Sequence, residues 1–180
     1  MLMTFESGSL EETVRFGRVL ADCLKAGDVV ALIGNLGAGK THLVQAIAEG
    51  LGVSAEDVHS PTFVLIQEYD ARLPICHIDA YRLNDIDEFL ELGADELVGG
   101  DCVALIEWAD RVAEVLPRDR LTVELTATGE NARRLDISGS GARSNAIVEA
   151  LTSRLDRSCF TTESRRHGEE GTTKKTKDTK

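Results

Sequence analysis

Residues 34–41 read Gly-Asn-Leu-Gly-Ala-Gly-Lys-Thr, which satisfies G-x-x-x-x-G-K-[ST]. Glycines at 34, 37 and 39 let the backbone turn through positive φ and admit an anion close to the main chain. Successive N–H groups then point inward, and the helix that follows adds its positive end. Before the loop stands Val29-Val30-Ala31-Leu32-Ile33, a β-branched run that reads as a buried strand. After it, Lys40 to Leu51 carries Leu43, Val44 and Ile47 at helical spacing and meets Gly50 and Gly52. Chance alone yields such an eight-residue match in about one chain of this length in a hundred. The strand–loop–helix order makes it a nucleotide phosphate site. Gly34, Asn35, Leu36, Gly37, Ala38, Gly39, Lys40 and Thr41 are its expected lining. Lys40 is expected on the β- and γ-phosphates and the Thr41 hydroxyl on Mg²⁺.

The rest of the chain has to supply a sheet for that loop. Ser9-Leu10-Glu11-Glu12 is a capping box, predicting a helix to about Lys25 with Leu10, Val14, Ala21 and Leu24 on one face. Phe63 to Tyr69 and Pro74 to Ile78 are two apolar runs joined by a short polar link, which favours an antiparallel hairpin. Asn84 or Asp85 caps a short helix with Ile86, Phe89 and Leu90, and Cys102 to Ile106 is a second strongly apolar strand. A brief helix is predicted from Arg111 to Leu116, ended by Pro117. Strands at Leu121–Thr126 and Arg133–Ser138 and a helix at Ser144–Leu155 follow. The fold class is therefore α/β: a P-loop NTPase fold in three layers, its mixed central sheet having a parallel core and antiparallel strands. Residues 1–157 form the predicted P-loop domain, and residues 158–180, almost free of apolar side chains, a disordered polar tail.

A Mg²⁺-dependent phosphate loop needs a carboxylate at a neighbouring strand end. Glu107 follows Val103-Ala104-Leu105-Ile106 and is assigned to the metal with Thr41. Asp79 follows Ile75-Cys76-His77-Ile78 and is assigned to orienting the attacking water or to the metal's outer shell. The direction of the 74–78 strand relative to the loop strand stays open. Thr62 either touches the γ-phosphate or its metal or only turns the chain into its strand; His77 reads first as a packed or hydrogen-bonded core residue, and second as a proton carrier. Trp108 could shield the site, stack on a base or simply pack, and Arg133 or Arg134 could reach phosphate from a late strand or stay a surface arginine.

Charge limits the partners. The chain carries −11, and the tail from Ser158 holds six Lys/Arg against four Asp/Glu, so residues 1–157 carry −13. So acidic a body does not grip RNA or DNA by itself. Four cysteines without C-x-x-C spacing suit buried thiols in a reducing compartment. Neither a signal peptide nor a run of about 20 apolar residues is visible, so a cytoplasmic protein with no membrane contact is expected.

GNLGAGKT at 34–41, SPTF at Ser60–Phe63, HIDAYRL at His77–Leu83 and IEW at Ile106–Trp108 together resemble the TsaE family, the YjeE-type P-loop ATPases of bacteria, over residues 9–138. The resemblance implies a small ATPase required for threonylcarbamoyladenosine modification of tRNA beside the anticodon. It implies ATP and Mg²⁺ as cofactors, TsaD and TsaB as protein partners, and tRNA reached only through them. It places the phosphates on Leu36–Thr41, Mg²⁺ on Thr41 and Glu107, and makes Asp79 necessary for hydrolysis, with Lys40 and Thr62 beside it. Two departures, His42 for a second hydroxyl residue and Ala109 for proline, remove no ligand group. A small-molecule kinase would need an arginine-bearing lid, for which no Arg-rich segment is seen. A GTP-dependent switch would usually carry Asn-Lys-x-Asp, which is absent.

Overall fold

The computed structural model describes residues 1–83 and 85–166, with side chains described for all of these except Asp95 and residues 157–166. One seven-stranded sheet organises them. Its strands are β1 (Leu2–Ser7), β2 (Val29–Ile33), β3 (Ile66–Tyr69), β4 (Ile75–Asp79), β5 (Val103–Glu107), β6 (Leu121–Ala127) and β7 (Arg133–Gly139), in spatial order β1-β7-β6-β2-β5-β4-β3. The four central strands are parallel: β6 and β5 flank β2, and β4 flanks β5. The remaining pairs, β3–β4, β6–β7 and β1–β7, are antiparallel. The expected hairpin is thus present, and the open question of β4 is answered. It runs parallel to β5 with Asp79 opposite Glu107.

Strand alternation sends side chains to two faces, and each face has its own core. Val30 and Leu32 of β2 pack with Leu43 and Ile47 of α2 (Lys40–Leu51), Phe16 and Leu20 of α1 (Leu10–Ala21), and Val148 of α5 (Ala142–Arg166). Val29 and Ala31 face the other way, onto Phe89 of α3 (Ile86–Glu91), Ala94 of α4 (Ala94–Leu97) and Val112. Helices on both faces of a mostly parallel sheet give the three layers expected.

Several local expectations need correction. β1 had no sequence prediction; its burial alternates, with Met3 and Phe5 on the core side, but the apolar Leu2 stands on the exposed side of this edge strand. Ser9 does cap α1, accepting from Glu12 N–H at 3.3 Å, while the Glu12 carboxylate reaches back to Gly8 N–H at 2.7 Å. The buried face of α1 is however Thr13, Phe16, Gly17, Leu20 and Ala21, with Leu10 exposed, and the helix ends at Ala21, not Lys25. Gly17 lies against Ala46 so closely that a Cβ would stand 2.5 Å from the Ala46 Cβ, which is what lets α1 sit on α2. β3 begins at Ile66 and not Phe63, because residues 61–65 turn, closed by Leu65 N–H to Pro61 C=O at 2.6 Å. A four-residue 3₁₀ turn, Ala109–Val112, replaces the helix expected at 111–116. α5 is longer than expected: its backbone helix starts at Ala142 and continues through Arg166, so residues 158–166 of the expected tail are helical. Residues 167–180 lie outside the described residues.

Candidate functional site

The parallel strands β2, β5 and β4 end on the same edge, and the loop of residues 34–39 rises there into α2. Gly34 has φ +149 and lies so near β6 that a Cβ would sit 2.5 Å from Leu125 C=O; no other residue fits. Gly39 at φ +104 turns the chain into the first residue of α2 without any side-chain cap. The N–H groups at that helix start are therefore left for a ligand, as an anion site requires.

A pocket of about 400 Å³ opens at this edge. Of the sequence-predicted residues, Leu36, Gly37, Gly39, Lys40, Thr41, Thr62, Asp79, Glu107, Trp108 and Arg133 line it. Gly34, Asn35 and Ala38 line the neighbouring hollow on the loop's other side, of about 310 Å³, together with Trp108. The sequence candidates thus converge on one loop.

Lys40 is buried, and its ammonium donates to Gly34 C=O at 2.7 Å and Asn35 C=O at 3.0 Å. It lies 3.6 Å from the centre of the Trp108 ring. Burial lowers its pKa from the usual lysine value, and the charges of Glu107, Asp79 and Asp110 pull the other way. Trp108 holds this position with φ +57, a left-handed conformation that a bulky residue keeps only when its surroundings impose it. Tyr81 packs against its indole, the rings tilted by 41° with centroids 4.9 Å apart.

Two carboxylates face the loop, and the sheet spaces them. The Thr41 hydroxyl donates to Glu107 Oε2 at 2.9 Å, and Glu107 Oε1 meets His77 Nε2 at 2.9 Å. Asp79 accepts three bonds: from Ser60 Oγ at 2.6 Å, Thr62 Oγ1 at 2.8 Å and Tyr81 N–H at 2.9 Å. Ser60 and the turn at 61–65 that follows it deliver the two hydroxyls, with Leu65 C=O taking Asp79 N–H at 3.0 Å. Thr62 is therefore tied to Asp79 as well as lining the pocket. Arg133 Nε donates to Ala38 C=O at 2.8 Å and braces the loop from β7, whereas Arg134 points away and pairs with Glu6 at 2.7 Å.

Hard oxygen donors beside a phosphate loop suit Mg²⁺, which keeps waters and takes only one or two protein oxygens. Thr41 and Glu107 form such a set, and among the described residues no cluster of three or more His, Cys, Asp or Glu could cage a metal unaided. Sequence reasoning passed over Ser60, Tyr81 and the inward role of His77. Their signal was available in the S-P-T and H-I-D-A-Y strings, but only folding shows that these meet at Asp79 and Glu107. No helix among the described residues is long and apolar enough to cross a membrane.

Known proteins are similar over most of this length. Residues 7–135 match the family described as Threonylcarbamoyl adenosine biosynthesis protein TsaE. The tRNA threonylcarbamoyladenosine biosynthesis protein TsaE of Bacillus subtilis (strain 168) is 41% identical over 143 residues, covering 79% of this chain and 89% of that protein. Its counterpart of the same name in Treponema pallidum (strain Nichols) is 41% identical over 132 residues, 73% and 97% of the two chains. The crystal structure of Bacillus subtilis YdiB aligns with a TM-score of 0.75 and 36% identity over 87% of this chain and 97% of that one. The fold is that of a P-loop NTPase, as the loop and sheet required. With its phosphate loop, paired strand-end carboxylates and these likenesses, the chain belongs to the TsaE family.

Proposed function

We propose that this chain is a Mg²⁺-dependent ATPase of the machinery that forms threonylcarbamoyladenosine beside the tRNA anticodon, working with the TsaD and TsaB proteins. One observation carries the reading: Lys40, Thr41, Asp79 and Glu107 line a single pocket at the loop's mouth. The names of the relatives supply the pathway.

Lys40 exchanges its two carbonyl partners for phosphate oxygens, and a buried ammonium gains more from an anion than an exposed one. Thr41 and Glu107 are the residues that would hold Mg²⁺, which supplies charge neutralisation across the β- and γ-phosphate oxygens when bound. Asp79, fixed by three donors, presents an oriented carboxylate that positions a water for attack. Trp108 and Tyr81 form an aromatic wall that excludes bulk water from the phosphates. At −11 the chain leaves the RNA to its partners.

Reconstitution tests this. Purified TsaD and TsaB proteins, the threonylcarbamoyl donor and tRNA are incubated with ATP, without this chain and then with it. Modified adenosine is expected to form repeatedly only when the chain is present, with phosphate release rising in the same mixture. Equal product with and without it overturns the proposal.

A further inference from the structure

We infer that His77 is a positioning residue: it clamps Glu107 so that Glu107 aims the Thr41 hydroxyl at the cation position. The inference rests on the Mg²⁺–nucleotide reading above and assigns a role to a residue that touches neither ligand.

His77 is entirely buried within β4, so it meets neither nucleotide nor solvent. Its Nε2 lies 2.9 Å from Glu107 Oε1, and the other Glu107 oxygen lies 2.9 Å from Thr41 Oγ1. A short chain thus runs from β4 through the end of β5 to the first turn of α2. An ionised carboxylate only accepts, so Nε2 must carry the proton in this contact. Its other nitrogen, Nδ1, is the one fully buried side-chain polar atom among the described residues with no partner. A packing histidine would be expected to satisfy both nitrogens. Here the ring forgoes one bond and spends the other on Glu107.

The consequence reaches Thr41. With Oε1 held, Glu107 cannot rotate, and Oε2 stays where the threonine hydroxyl donates to it. The Thr41 proton is thereby directed at Glu107, and its lone pairs are turned into the pocket, where a cation needs them. Partners behind a metal's ligands typically change metal affinity about 10–100-fold when removed.

The test is titration calorimetry of ADP into the full chain, in MgCl₂ and in EDTA, for wild type, His77→Gln and His77→Leu. The readout is the ratio of the two affinities. His77→Leu should lower that ratio at least about tenfold while leaving affinity in EDTA unchanged, and His77→Gln, whose amide can donate to Glu107, should restore it. A folded His77→Leu with the wild-type ratio overturns the role, as does one that weakens binding equally with and without Mg²⁺. Wild type showing no Mg²⁺ preference overturns the nucleotide–metal reading beneath it. Should His77→Leu fail to fold, ¹⁵N spectra of histidine-labelled wild type decide. A proton on Nε2 supports the clamp, and a bare Nε2 overturns it.

Discussion

At the start of β2 and just past its end sit two buried charged groupings, and they are built on opposite plans. Asp28, at the start, is grasped by Arg143 of α5 through two bonds of 2.8 and 2.6 Å, and also takes Lys25 N–H at 2.7 Å. Arg143 adds Cys23 C=O at 2.9 Å, and the hydrogen bond to Asp28 raises its pKa further above the arginine norm. Opposite charges there pair directly, and the grouping ties α5 to the sheet. At the far end, Lys40 faces the carboxylates of Glu107 and Asp79, and feels both only through space. Its hydrogen bonds go to carbonyls instead. The two acids and two bases that line the pocket, Lys40 and Arg133 among them, make no direct ion pair with one another, and the ammonium's partners can be exchanged. A closed grouping holds a fold, whereas an unpaired one holds a ligand.

Lys40→Met breaks the contrast most sharply. The stem stays, the charge goes, and two or more charge-assisted bonds to phosphate are lost, each worth about 1.5–3 kcal/mol. Nucleotide affinity by calorimetry should fall about a hundredfold or more. Thermal stability should hold or rise, because burial disfavours the ammonium in the folded chain. A variant that still binds ATP with wild-type affinity would remove the phosphate role from the loop.

Arg143→Met is the converse. It leaves the Asp28 carboxylate, whose side chain is 4% exposed, without its counter-charge. The cost should be about 2 kcal/mol by denaturant melting, below that of a fully enclosed pair because the Arg143 side chain is 35% exposed. Nucleotide affinity of the folded variant should not change. If binding weakened along with stability, the two groupings would be one coupled unit and the contrast would fail.

Much of this was legible beforehand, for reasons that differ by region. The loop, β2 and α2 were readable because backbone geometry there is dictated by glycines and by apolar runs. Glu107 and Asp79 could be named as strand-end acids, since the strands before them are strongly apolar. What escaped depended on contacts distant in sequence. β1 exists only because β7 offers it a partner, from Leu2 opposite Ser138 to Ser7 opposite Arg133. The buried face of α1 was misjudged because Gly17, which has no apolar side chain to count, sits at the closest approach to α2. The sequence predicts a packed or hydrogen-bonded His77, and its burial and its bond agree, but that the partner is Glu107 requires β4 to lie parallel beside β5.

The smallest effect tests the same contrast within one strand. β4 turns His77 and Asp79 toward the pocket side, while Cys76 packs among apolar residues on the other face. Burial pushes the Cys76 thiol from 9.0 up to about 12. A raised folded pKa means the fold prefers the protonated thiol. That preference is fully present below pH 9 and is lost as pH climbs toward 12, because the unfolded chain ionises first. Wild type should therefore lose stability relative to Cys76→Ala by at most about 1.4 kcal/mol per pH unit above pH 9, measured by melting both proteins across that range. The alanine substitution also removes a small buried side chain, so the diagnostic is the change with pH and not the offset at neutral pH. Parallel curves would mean that the thiol does not feel the apolar face, and that β4 does not separate a polar side from a dry one.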